Sequence, residues 1–502
     1  MLGLVVALVC ASVGSADYEV QETRIGDVPY PFDSRVFSRD DSTFVGVVPQ
    51  GKGVAVWVNG VLGPEYAAVG RRSLVPTPDG AHVAYAAQRG AKWVVVADGK
   101  EGLEYDAIMA GSVLLSTDGA HLAYGARRGP KWMVVFDGKE GPGYDGIGEF
   151  CRVLNEARTH VAYGAPGGLT SAVAADGKQG SAPDAFWLAS LALSADGEHL
   201  AYAAQNGAKW VVVADGAEGP EYDSILGGSP VFSADGAHVA YAARKRGKWV
   251  VALDGKEGRE YDDIELDSLA FSPSGAHVAY IARNAAKCVV VLDGKESPEY
   301  DHVQLDAIYP LVFSADGVHL AYAAQKGRSW VVVVDGEEGP LLGGVTVEPG
   351  RISVDLGHVS GIVLSADGAH VAYSAGTRAG FVVVLDGKEG PAYESMIVGS
   401  LVLSADGAHV AYVPKKGAKS LAVVDGSEGS EYDGVAHLIL SADGARVAYV
   451  AWKGKKQVVV VDGEEGPEYD GIGWHGPQLQ GDGTVYYAAF RGRTLYRVTM
   501  RR

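Results

Sequence analysis

Short apolar runs alternate with turn residues along most of the chain. In residues 191–223 (LALSADGEHLAYAAQNGAKWVVVADGAEGPEYD) the turn signals S-A-D-G, Q-N-G and D-G separate four apolar segments. Asp-Gly and Asn-Gly between apolar runs mark tight hairpins, because glycine accepts a positive φ at little steric cost. The run from Trp210 to Ala214 is β-branched and aromatic, and it is too short for a helix. The pattern therefore predicts four short antiparallel strands: LALS, HLAYAA, KWVVVAD and PEYD.

This unit recurs at a nearly constant spacing. The phrase A-H-V-A-Y and its variants return every 39 residues, except for wider steps to His319 and His370: His82, His121, His160, His199, His238, His277, His319, His370 and His409. A fixed period near 40 residues means that each period is one supersecondary unit. An unbroken apolar strand also needs cover on both faces, which neighbouring blades of a propeller supply. We therefore predict an all-β protein, a β-propeller of four-stranded blades.

The S-x-D-G turn lets the units be counted. It occurs at Asp40, Asp79, Asp118, Asp196, Asp235, Asp316, Asp367, Asp406, Asp443 and Asp482, with degenerate copies at Ala157 and Ser274. The resulting twelve units exceed the usual four to eight blades of one ring. We predict two rings of about six, with blades 1–6 in residues 17–263 and blades 7–12 in residues 264–502. The spacing crosses the midpoint without a linker, so one continuous propeller over residues 17–502 is the alternative.

The two ends of the chain complement each other. The last unit ends after its third strand, TLYRVTMRR, whereas residues 25–38 (IGDVPYPFDSRVFS) resemble a fourth strand followed by a first strand. Pairing the N-terminal strand with the C-terminal strand would leave no open sheet edge. We therefore expect closure by these two strands.

The repeat resembles that of a known family of propellers. S-A-D-G-A-H-V-A-Y followed by W-V-V-V is similar to the repeat of WD-repeat-like β-propellers of the TolB type, a bacterial-type exported repeat. The turns at 272–275 (SPSG) and 77–80 (TPDG) are the most similar in sequence to the turn of that repeat. The Trp-Asp and Gly-His pairs of true WD repeats are absent. The resemblance implies the fold and leaves the function open, since such propellers serve as scaffolds, binding modules and occasionally enzymes.

The N-terminal segment predicts export. Residues 2–13 are apolar and are followed by Gly14-Ser15-Ala16, which predicts a signal peptide over residues 1–16 and a periplasmic or extracellular protein. No Lys or Arg precedes the apolar run, which departs from the usual pattern. Lipidation at Cys10 is a less favoured alternative, and no other segment is long enough to span a membrane. Cys151 and Cys288 lie in distant units and are expected to be buried thiols rather than a disulfide.

Charge is distributed unevenly along each unit. The formal charge of −19 argues against nucleic-acid binding. The second hairpins are basic and the third hairpins (D-G-K-E-G) are acidic, at opposite ends of a strand about 20 Å long. We therefore expect one basic and one acidic face. An insertion lengthens the step from His319 to His370 to 51 residues and predicts an added hairpin at Pro349-Gly350 on the basic face. The candidate binding residues are Arg127, Arg128, Arg244, Lys245, Arg246, Lys415, Lys416 and Arg351.

Catalytic and metal-binding patterns are lacking. One histidine per unit puts equivalent imidazoles on separate blades, too far apart to share an ion, so we interpret them as caps of their own hairpins. The D-G-K-E-G turn lacks the alternating carboxylates of a calcium loop. No G-x-S-x-G, H-E-x-x-H or phosphate loop occurs. We predict no catalytic residue, no metal site and no cofactor.

These observations favour a binding protein. We predict an exported, non-enzymatic binding or scaffold propeller whose basic face meets an acidic protein or an anionic polysaccharide. One alternative is a lyase or hydrolase acting on polysaccharide in the central funnel, which needs a non-repeating cluster of His, Tyr, Arg or carboxylates. Another is a purely structural surface protein. The oligomeric state is left open.

Overall fold

The structure is a computed structural model of the chain. It describes residues 18–28, 34–146, 152–154, 161–165, 172–175, 178–179, 185–186, 190–304, 311–342, 347–348, 351–352, 359–377 and 379–502. The predicted signal peptide, Cys10, Cys151 and the degenerate turn at Ala157 lie outside these residues.

The described residues contain β-strands and turns but no α-helix, so the all-β prediction is confirmed. Most strands belong to antiparallel sheets of four or five, and consecutive sheets follow the units of the repeat. Residues up to the sixth unit contain β1 (Glu19–Asp27), β2 (Ser34–Phe37), β3 (Phe44–Gln50), β4 (Gly53–Val58), β5 (Val61–Tyr66), β6 (Ala68–Val69), β7 (Val75–Pro76), β8 (Val83–Arg89), β9 (Lys92–Ala97), β10 (Lys100–Glu101), β11 (Ala107–Ile108), β12 (Leu114–Leu115), β13 (Leu122–Arg128), β14 (Lys131–Phe136), β15 (Lys139–Glu140), β16 (Arg152–Leu154), β17 (Val161–Ala165), β18 (Ala172–Ala175), β19 (Lys178–Gln179), β20 (Ala185–Phe186), β21 (Ala192–Leu193), β22 (Leu200–Asn206), β23 (Lys209–Ala214), β24 (Ala217–Glu218), β25 (Ser224–Ile225), β26 (Val231–Phe232), β27 (Val239–Lys245), β28 (Lys248–Leu253) and β29 (Lys256–Tyr261).

The later units repeat the same order. They contain β30 (Asp263–Ile264), β31 (Ala270–Phe271), β32 (Val278–Asn284), β33 (Lys287–Leu292), β34 (Lys295–Glu296), β35 (His302–Val303), β36 (Val312–Phe313), β37 (Leu320–Lys326), β38 (Ser329–Val334), β39 (Glu337–Glu338), β40 (Val347–Glu348), β41 (Arg351–Ile352), β42 (Val359–Leu364), β43 (Val371–Thr377), β44 (Gly380–Leu385), β45 (Lys388–Glu389), β46 (Ser395–Met396), β47 (Val402–Leu403), β48 (Val410–Tyr412), β49 (Pro414–Lys416), β50 (Lys419–Ser420), β51 (Val423–Val424), β52 (Ser427–Glu428), β53 (Gly434–Leu440), β54 (Val447–Lys453), β55 (Lys456–Val461), β56 (Glu464–Glu465), β57 (Gly471–Ile472), β58 (Gln478–Leu479), β59 (Val485–Arg491) and β60 (Thr494–Arg501).

The first strand of each unit is usually broken in two. In the third unit, β11 pairs with the C-terminal end of β13 and β12 pairs with its N-terminal end, so residues 109–113 bulge out between them. The turn pattern of the sequence predicted only the second piece of this strand. The pattern also placed the fourth strand at P-E-Y-D, whereas that strand begins directly after the D-G turn, as β15 does, and Tyr144 makes a further bridge to Trp132.

A serine caps the backbone group that this bulge leaves unpaired. Ser73 Oγ accepts the amide N–H of Ala86 at 3.1 Å and donates to the carbonyl of Gly70 at 2.8 Å. Equivalent serines accept amide hydrogen bonds at Ser112, Ser190, Ser229, Ser268 and Ser400. A buried amide without a hydrogen-bond partner costs free energy. The serine hydroxyl removes that cost at the interruption of the first strand.

The second strand of each unit is buried on both faces. On β8, Val83 and Tyr85 pack against the first unit, whereas Ala84 and Ala86 pack against the third. The small alanines let the next unit approach, and the alternation follows from the two-residue period of a strand. The unbroken apolar runs of the sequence are therefore explained by this two-sided burial, as predicted.

Tyrosines meet at the junctions between units. The tyrosine that ends one unit packs edge-to-face on the tyrosine of the next H-V-A-Y phrase, with ring centroids 5.9–6.3 Å apart. Such pairs contribute about 0.5–1.5 kcal/mol beyond the buried area. The pairs are Tyr66–Tyr85, Tyr105–Tyr124, Tyr222–Tyr241, Tyr261–Tyr280, Tyr300–Tyr322, Tyr393–Tyr412, Tyr432–Tyr449 and Tyr469–Tyr487.

The chain ends pair as the sequence predicted. β1 runs antiparallel to β60, from Glu19 opposite Arg501 to Asp27 opposite Thr494. The N-terminal strand starts at Glu19, six residues before the predicted segment, because its register with β60 continues through Tyr496 and Val498. The inserted hairpin is also present as β40 and β41, which pair around residues 349–350. Cys288 is buried at 1% exposure in an apolar cluster, as expected.

The turn glycine of one unit lies against the histidine of the unit before it. Gly407 has a φ of 72°, and a Cβ added there would lie 2.4 Å from His370 Cδ2. Gly426 has a φ of 76°, and no heavy atom lies within 4 Å of an added Cβ. The two positions share the backbone conformation and differ in the space around them.

We therefore expect Gly407→Ala to destabilise the protein more than Gly426→Ala. The control should lose about 1–2 kcal/mol for the left-handed backbone, and Gly407→Ala should lose about 1–3 kcal/mol more for the overlap. Urea unfolding of the full chain measures both free energies. Equal losses at the two positions would contradict the close packing of this turn on His370.

Candidate functional site

Each repeated histidine is paired with an aspartate of its own unit. The imidazole Nδ1 lies 2.6–2.7 Å from a carboxylate oxygen of the aspartate sixteen residues later. The pairs are His82–Asp98, His121–Asp137, His199–Asp215, His238–Asp254, His277–Asp293, His319–Asp335, His370–Asp386 and His409–Asp425. They tie the first hairpin to the third, whereas the sequence predicted that each histidine caps its own hairpin; that cap is the Ser or Thr hydroxyl, as in Ser116. His160 lies outside the described residues.

The first and third hairpins form an edge rich in carboxylates, which we call the acidic edge. At Asp406, a hydrogen bond from Ser404 Oγ at 2.6 Å and one from the amide of Ala408 at 3.1 Å lower the pKa of the carboxyl. The same causes lower the pKa of the equivalent aspartates, which therefore stay anionic at neutral pH: Asp79, Asp118, Asp196, Asp235, Asp316, Asp367 and Asp443.

The second hairpins carry the basic residues, and we call the edge that they form the basic edge. Most of these cations are ion-paired within their own unit. Lysines lie about 2.6 Å from the aspartate of E-Y-D, as in Lys92–Asp106, Lys131–Asp145, Lys209–Asp223, Lys287–Asp301, Lys419–Asp433 and Lys456–Asp470. Others pair with the glutamate of the third hairpin, as in Arg89–Glu101, Arg128–Glu140, Lys245–Glu257, Lys326–Glu338, Lys416–Glu428 and Lys453–Glu465.

The predicted separation of charges is therefore incomplete. The glutamate of the third hairpin does not stay at the acidic edge, because its carboxylate reaches the basic residue of the second hairpin. Glu140 pairs with Arg128 at 2.8 Å and also accepts a hydrogen bond from Tyr105 of the preceding unit at 3.0 Å. Arg128 in turn lies over the Tyr105 ring, 5.1 Å from its centroid. The glutamate thus holds two units together as well as neutralising a cation.

The eight candidate binding residues fall into different environments. Arg127 is half-buried with its guanidinium 5.8 Å from the Trp132 ring, and Arg128 is paired as described. Lys245 and Lys416 are paired with Glu257 and Glu428. The other candidates are Arg244, Arg246, Lys415 and Arg351. Arg244, Arg246 and Lys415 are exposed and form no ion pair with any residue that the structure describes, and Arg351 lies in β41 of the inserted hairpin.

The structure brings these residues together only within hairpins. Arg244, Lys245 and Arg246 are consecutive at the end of β27, where the Arg246 amide donates to Asp223 Oδ2 at 2.8 Å. Lys415 and Lys416 share β49 of another unit. The hairpin at 244–248 is therefore the most cationic candidate, with two unpaired guanidiniums in three residues.

Sequence reasoning missed a second polar cluster where the ends of the chain meet. Asp41 Oδ1 accepts a hydrogen bond from His475 Nδ1 at 2.6 Å, although the residues are 434 positions apart. Asp41 occupies the turn position that is glycine in the other S-x-D-G turns, and this substitution was the available signal. His475 lies outside the repeated A-H-V-A-Y phrase, in the segment G-W-H-G. No group of three or more His, Cys, Asp or Glu in the described part of the chain is arranged to hold a metal ion.

Comparison with known proteins supports the fold. Residues 243–400 match the family model described as "Lipoprotein LpqB beta-propeller domain". The chain resembles TolB-type propellers. No curated protein matches the sequence significantly. Among the described residues, no helix has the length and apolarity needed to cross a membrane.

Three solved structures illustrate the similarity. TolB from Acinetobacter baumannii is 15% identical, over 43% of this chain and 62% of that one, with a TM-score of 0.24. The β-propeller domain of the Trilobed protease from Pyrococcus furiosus is 12% identical, over 64% and 94%, with a TM-score of 0.27. A eukaryotic initiation factor is 12% identical, over 71% and 96%, with a TM-score of 0.35. At these scores we draw no functional conclusion from them.

His238 should titrate above the ordinary range of a histidine. The hydrogen bond to Asp254, and then its charge, raise the pKa of His238 above 6.5. A raised pKa in the folded state stabilises the protein fully below the unfolded value and is lost as pH rises through the folded value. We expect the NMR titration of His238 to be shifted upward, and His238→Gln to reduce the loss of thermal stability as the pH rises above about 6.5. A titration at or below 6.5 would contradict the pairing.

Proposed function

We propose that this protein is an exported binding or scaffold propeller that presents the hairpin at residues 244–248 to an acidic partner protein. The family match supports the general role, since it includes this hairpin and describes the propeller domain of a lipoprotein. The apolar segment at residues 2–13 supports export. The observation that carries the proposal is the pair of exposed guanidiniums, Arg244 and Arg246, which form no ion pair with any residue that the structure describes.

The pairing pattern favours a protein partner over a polysaccharide. A linear polyanion is held best by a continuous track of free cations, because each contact releases counterions along its length. Most basic hairpins of this chain are instead neutralised by their own glutamates and aspartates. A local pair of free guanidiniums suits one or two carboxylates on a folded surface, which each Arg can bind through two parallel hydrogen bonds.

The acidic edge supports a defined orientation of the partner. Its first-hairpin aspartates have lowered pKa values and remain charged, so an acidic protein is repelled from that side. Electrostatic complementarity of this kind sets the docking direction and the association rate more than the affinity.

We further propose that all units form one continuous ring. Nine apolar clusters each join a unit to its neighbour in sequence, and the junctions on either side of the fourth unit involve residues that are not described. The sixth and seventh units pack through Ala242, Val251 and Tyr261, just as the fifth and sixth pack through the equivalent residues. The first unit packs on the last through Phe44 and Leu495, which supports closure there and not at the sixth unit.

Charge reversal of the hairpin tests the binding proposal. Replacing Arg244, Lys245 and Arg246 together by Glu should weaken binding of poly-L-glutamate by about tenfold or more at low salt and flatten its salt dependence. The matched control is Lys256→Glu, Lys295→Glu and Lys388→Glu, which makes the same charge change at exposed positions of the third hairpins.

Titration calorimetry with poly-L-glutamate, sulfated dextran and neutral dextran separates the outcomes. Binding of poly-L-glutamate that the hairpin variant loses and the control keeps supports the proposal. Preference for sulfated dextran would favour the polysaccharide partner instead. Equal weakening by both variants, or no binding by either polyanion at low salt, would contradict the hairpin as the site and favour a structural role.

Imaging tests the ring. Single-particle electron microscopy of the full chain should show one annulus of about twelve blades, because each unit packs on the next without an interruption at the sixth. Class averages with two joined rings would overturn the single ring and restore the division at residues 263 and 264.

A further inference from the structure

Departures from the repeat gather where the first unit meets the last. The fourth position of the S-x-D-G turn is glycine in the other described copies, but in the first unit it is Asp41, with a φ of 51°. In the last unit, the loop between the two pieces of the first strand contains Trp474 and His475, where other units have M-A-G-S or L-G-G-S. This loop also varies elsewhere, as in Arg71-Arg72 and Leu266-Asp267, but only Trp474-His475 meets a turn that lacks its glycine among the described residues.

The two departures form a histidine–carboxylate pair. Asp41 Oδ1 accepts the Nδ1 hydrogen of His475 at 2.6 Å, and Asp41 Oδ2 accepts the His475 backbone N–H at 3.2 Å. Because both oxygens accept, the imidazole is held with its proton on Nδ1, which leaves the Nε2 lone pair available. The Asp41 side chain has no solvent exposure, whereas the His475 side chain is 40% exposed.

The repeated pairs provide an internal comparison. They have the same Nδ1 geometry, but their aspartate side chains are 33–50% exposed. A carboxylate in water is screened, whereas a buried one acts strongly on the imidazole that it holds. His475 therefore differs from His409 and its equivalents in the burial of the carboxylate that holds it.

Closing the ring does not require this arrangement. Elsewhere a glycine in the turn suffices, as Gly407 against His370 shows. Asp41 is instead a non-glycine residue in a left-handed conformation, and burial raises the pKa of its carboxyl. The aspartates of the D-G turns share this conformation, so the feature specific to Asp41 is its buried carboxylate. A desolvated charge costs stability, and such costs are typical of functional sites.

Other groups that do not repeat surround the pair. Burial lowers the pKa of His437, which also senses the charges of Asp41 and His475. Burial raises the pKa of Tyr486, which senses Asp40, Asp41 and Arg497. Next to His475 in the chain, Trp474 is 64% exposed and offers an aromatic surface. A site with charges of both signs and an exposed indole suits an uncharged ligand with an apolar or sugar face.

We propose that Asp41 and His475 form a general-base site that hydrolyses uncharged carboxylic esters, with Trp474 packing against the acyl or sugar part of the substrate. Neither ring nitrogen of His475 is hydrogen-bonded to a serine, threonine or cysteine side chain of the described residues. Water is therefore the nucleophile. This activity is additional to the binding function proposed above and uses a different part of the molecule.

The reaction balances with water alone. Nε2 of His475 takes a proton from water while the water oxygen bonds to the acyl carbon, which gives a tetrahedral intermediate. The imidazolium, stabilised by the Asp41 carboxylate, then returns that proton to the leaving alkoxide oxygen as the C–O bond breaks. The products are a carboxylic acid and an alcohol, and nothing is oxidised or reduced.

Hydrolysis of 4-nitrophenyl acetate and of penta-O-acetylglucose by the full chain tests the proposal. We expect turnover above the buffer rate, and His475→Gln should lower it by about a hundredfold, the usual contribution of a general base. The matched control is His409→Gln, which removes an imidazole whose partner Asp425 is exposed. It should leave the rate unchanged.

Asp41→Asn tests the positioning role of the carboxylate. We expect a similar loss of rate, together with ¹⁵N shifts of His475 that move from the Nδ1–H tautomer toward a mixture. A purely structural Asp41 would leave these shifts unchanged in a folded variant. The proposal is overturned by hydrolysis at the buffer rate, or by equal losses in the His475 and His409 variants. The charge-reversed hairpin variant should retain full hydrolysis, which separates this test from that of the binding function.

Discussion

The fold depends on one constraint: the second strand of each unit is buried on both faces, and the neighbouring units supply that burial. No unit can bury its own tyrosine, because the ring of Tyr124 lies against Tyr105 of the unit before it. The alanines of the same strand then admit the next unit on the opposite face. The repeat is therefore stable only as a series, and the last unit must find another partner. β1 and the first unit provide it, through pairing with β60 and through the cluster around Phe44.

Electrostatics in this protein is organised first for cohesion. The carboxylate of Glu140 binds both Tyr105 of the preceding unit and Arg128 of its own, so one acidic group joins two units and cancels one cation. The cations left for a partner lie in the hairpin at residues 244–248, where Lys245 and Lys248 are ion-paired but Arg244 and Arg246 form no ion pair with a described residue. A count of charged residues along the sequence cannot show this, because it does not reveal which charges are already ion-paired within the protein.

The sequence predicted most of the fold, because turns and two-sided burial are local properties. The D-G and N-G turns, the added hairpin at residues 349–350 and the pairing of the chain ends all followed from patterns in the chain. The broken first strand did not, since its signal is a single serine such as Ser112, whose hydroxyl replaces a strand partner. The pair of Asp41 and His475 was hidden for another reason: its members are 434 residues apart and meet only on closure.

That closure also explains why a reactive pair would arise at this junction and not elsewhere. At several described internal junctions the turn glycine of one unit lies against the histidine of the unit before it, as Gly407 lies against His370, so a larger residue would meet an occupied space. Where the first unit meets the last, both sides are free to differ, and the buried carboxylate of Asp41 occupies space that a histidine ring fills against Gly407. A repeat protein that needs one unique site gains it most readily where its ends meet.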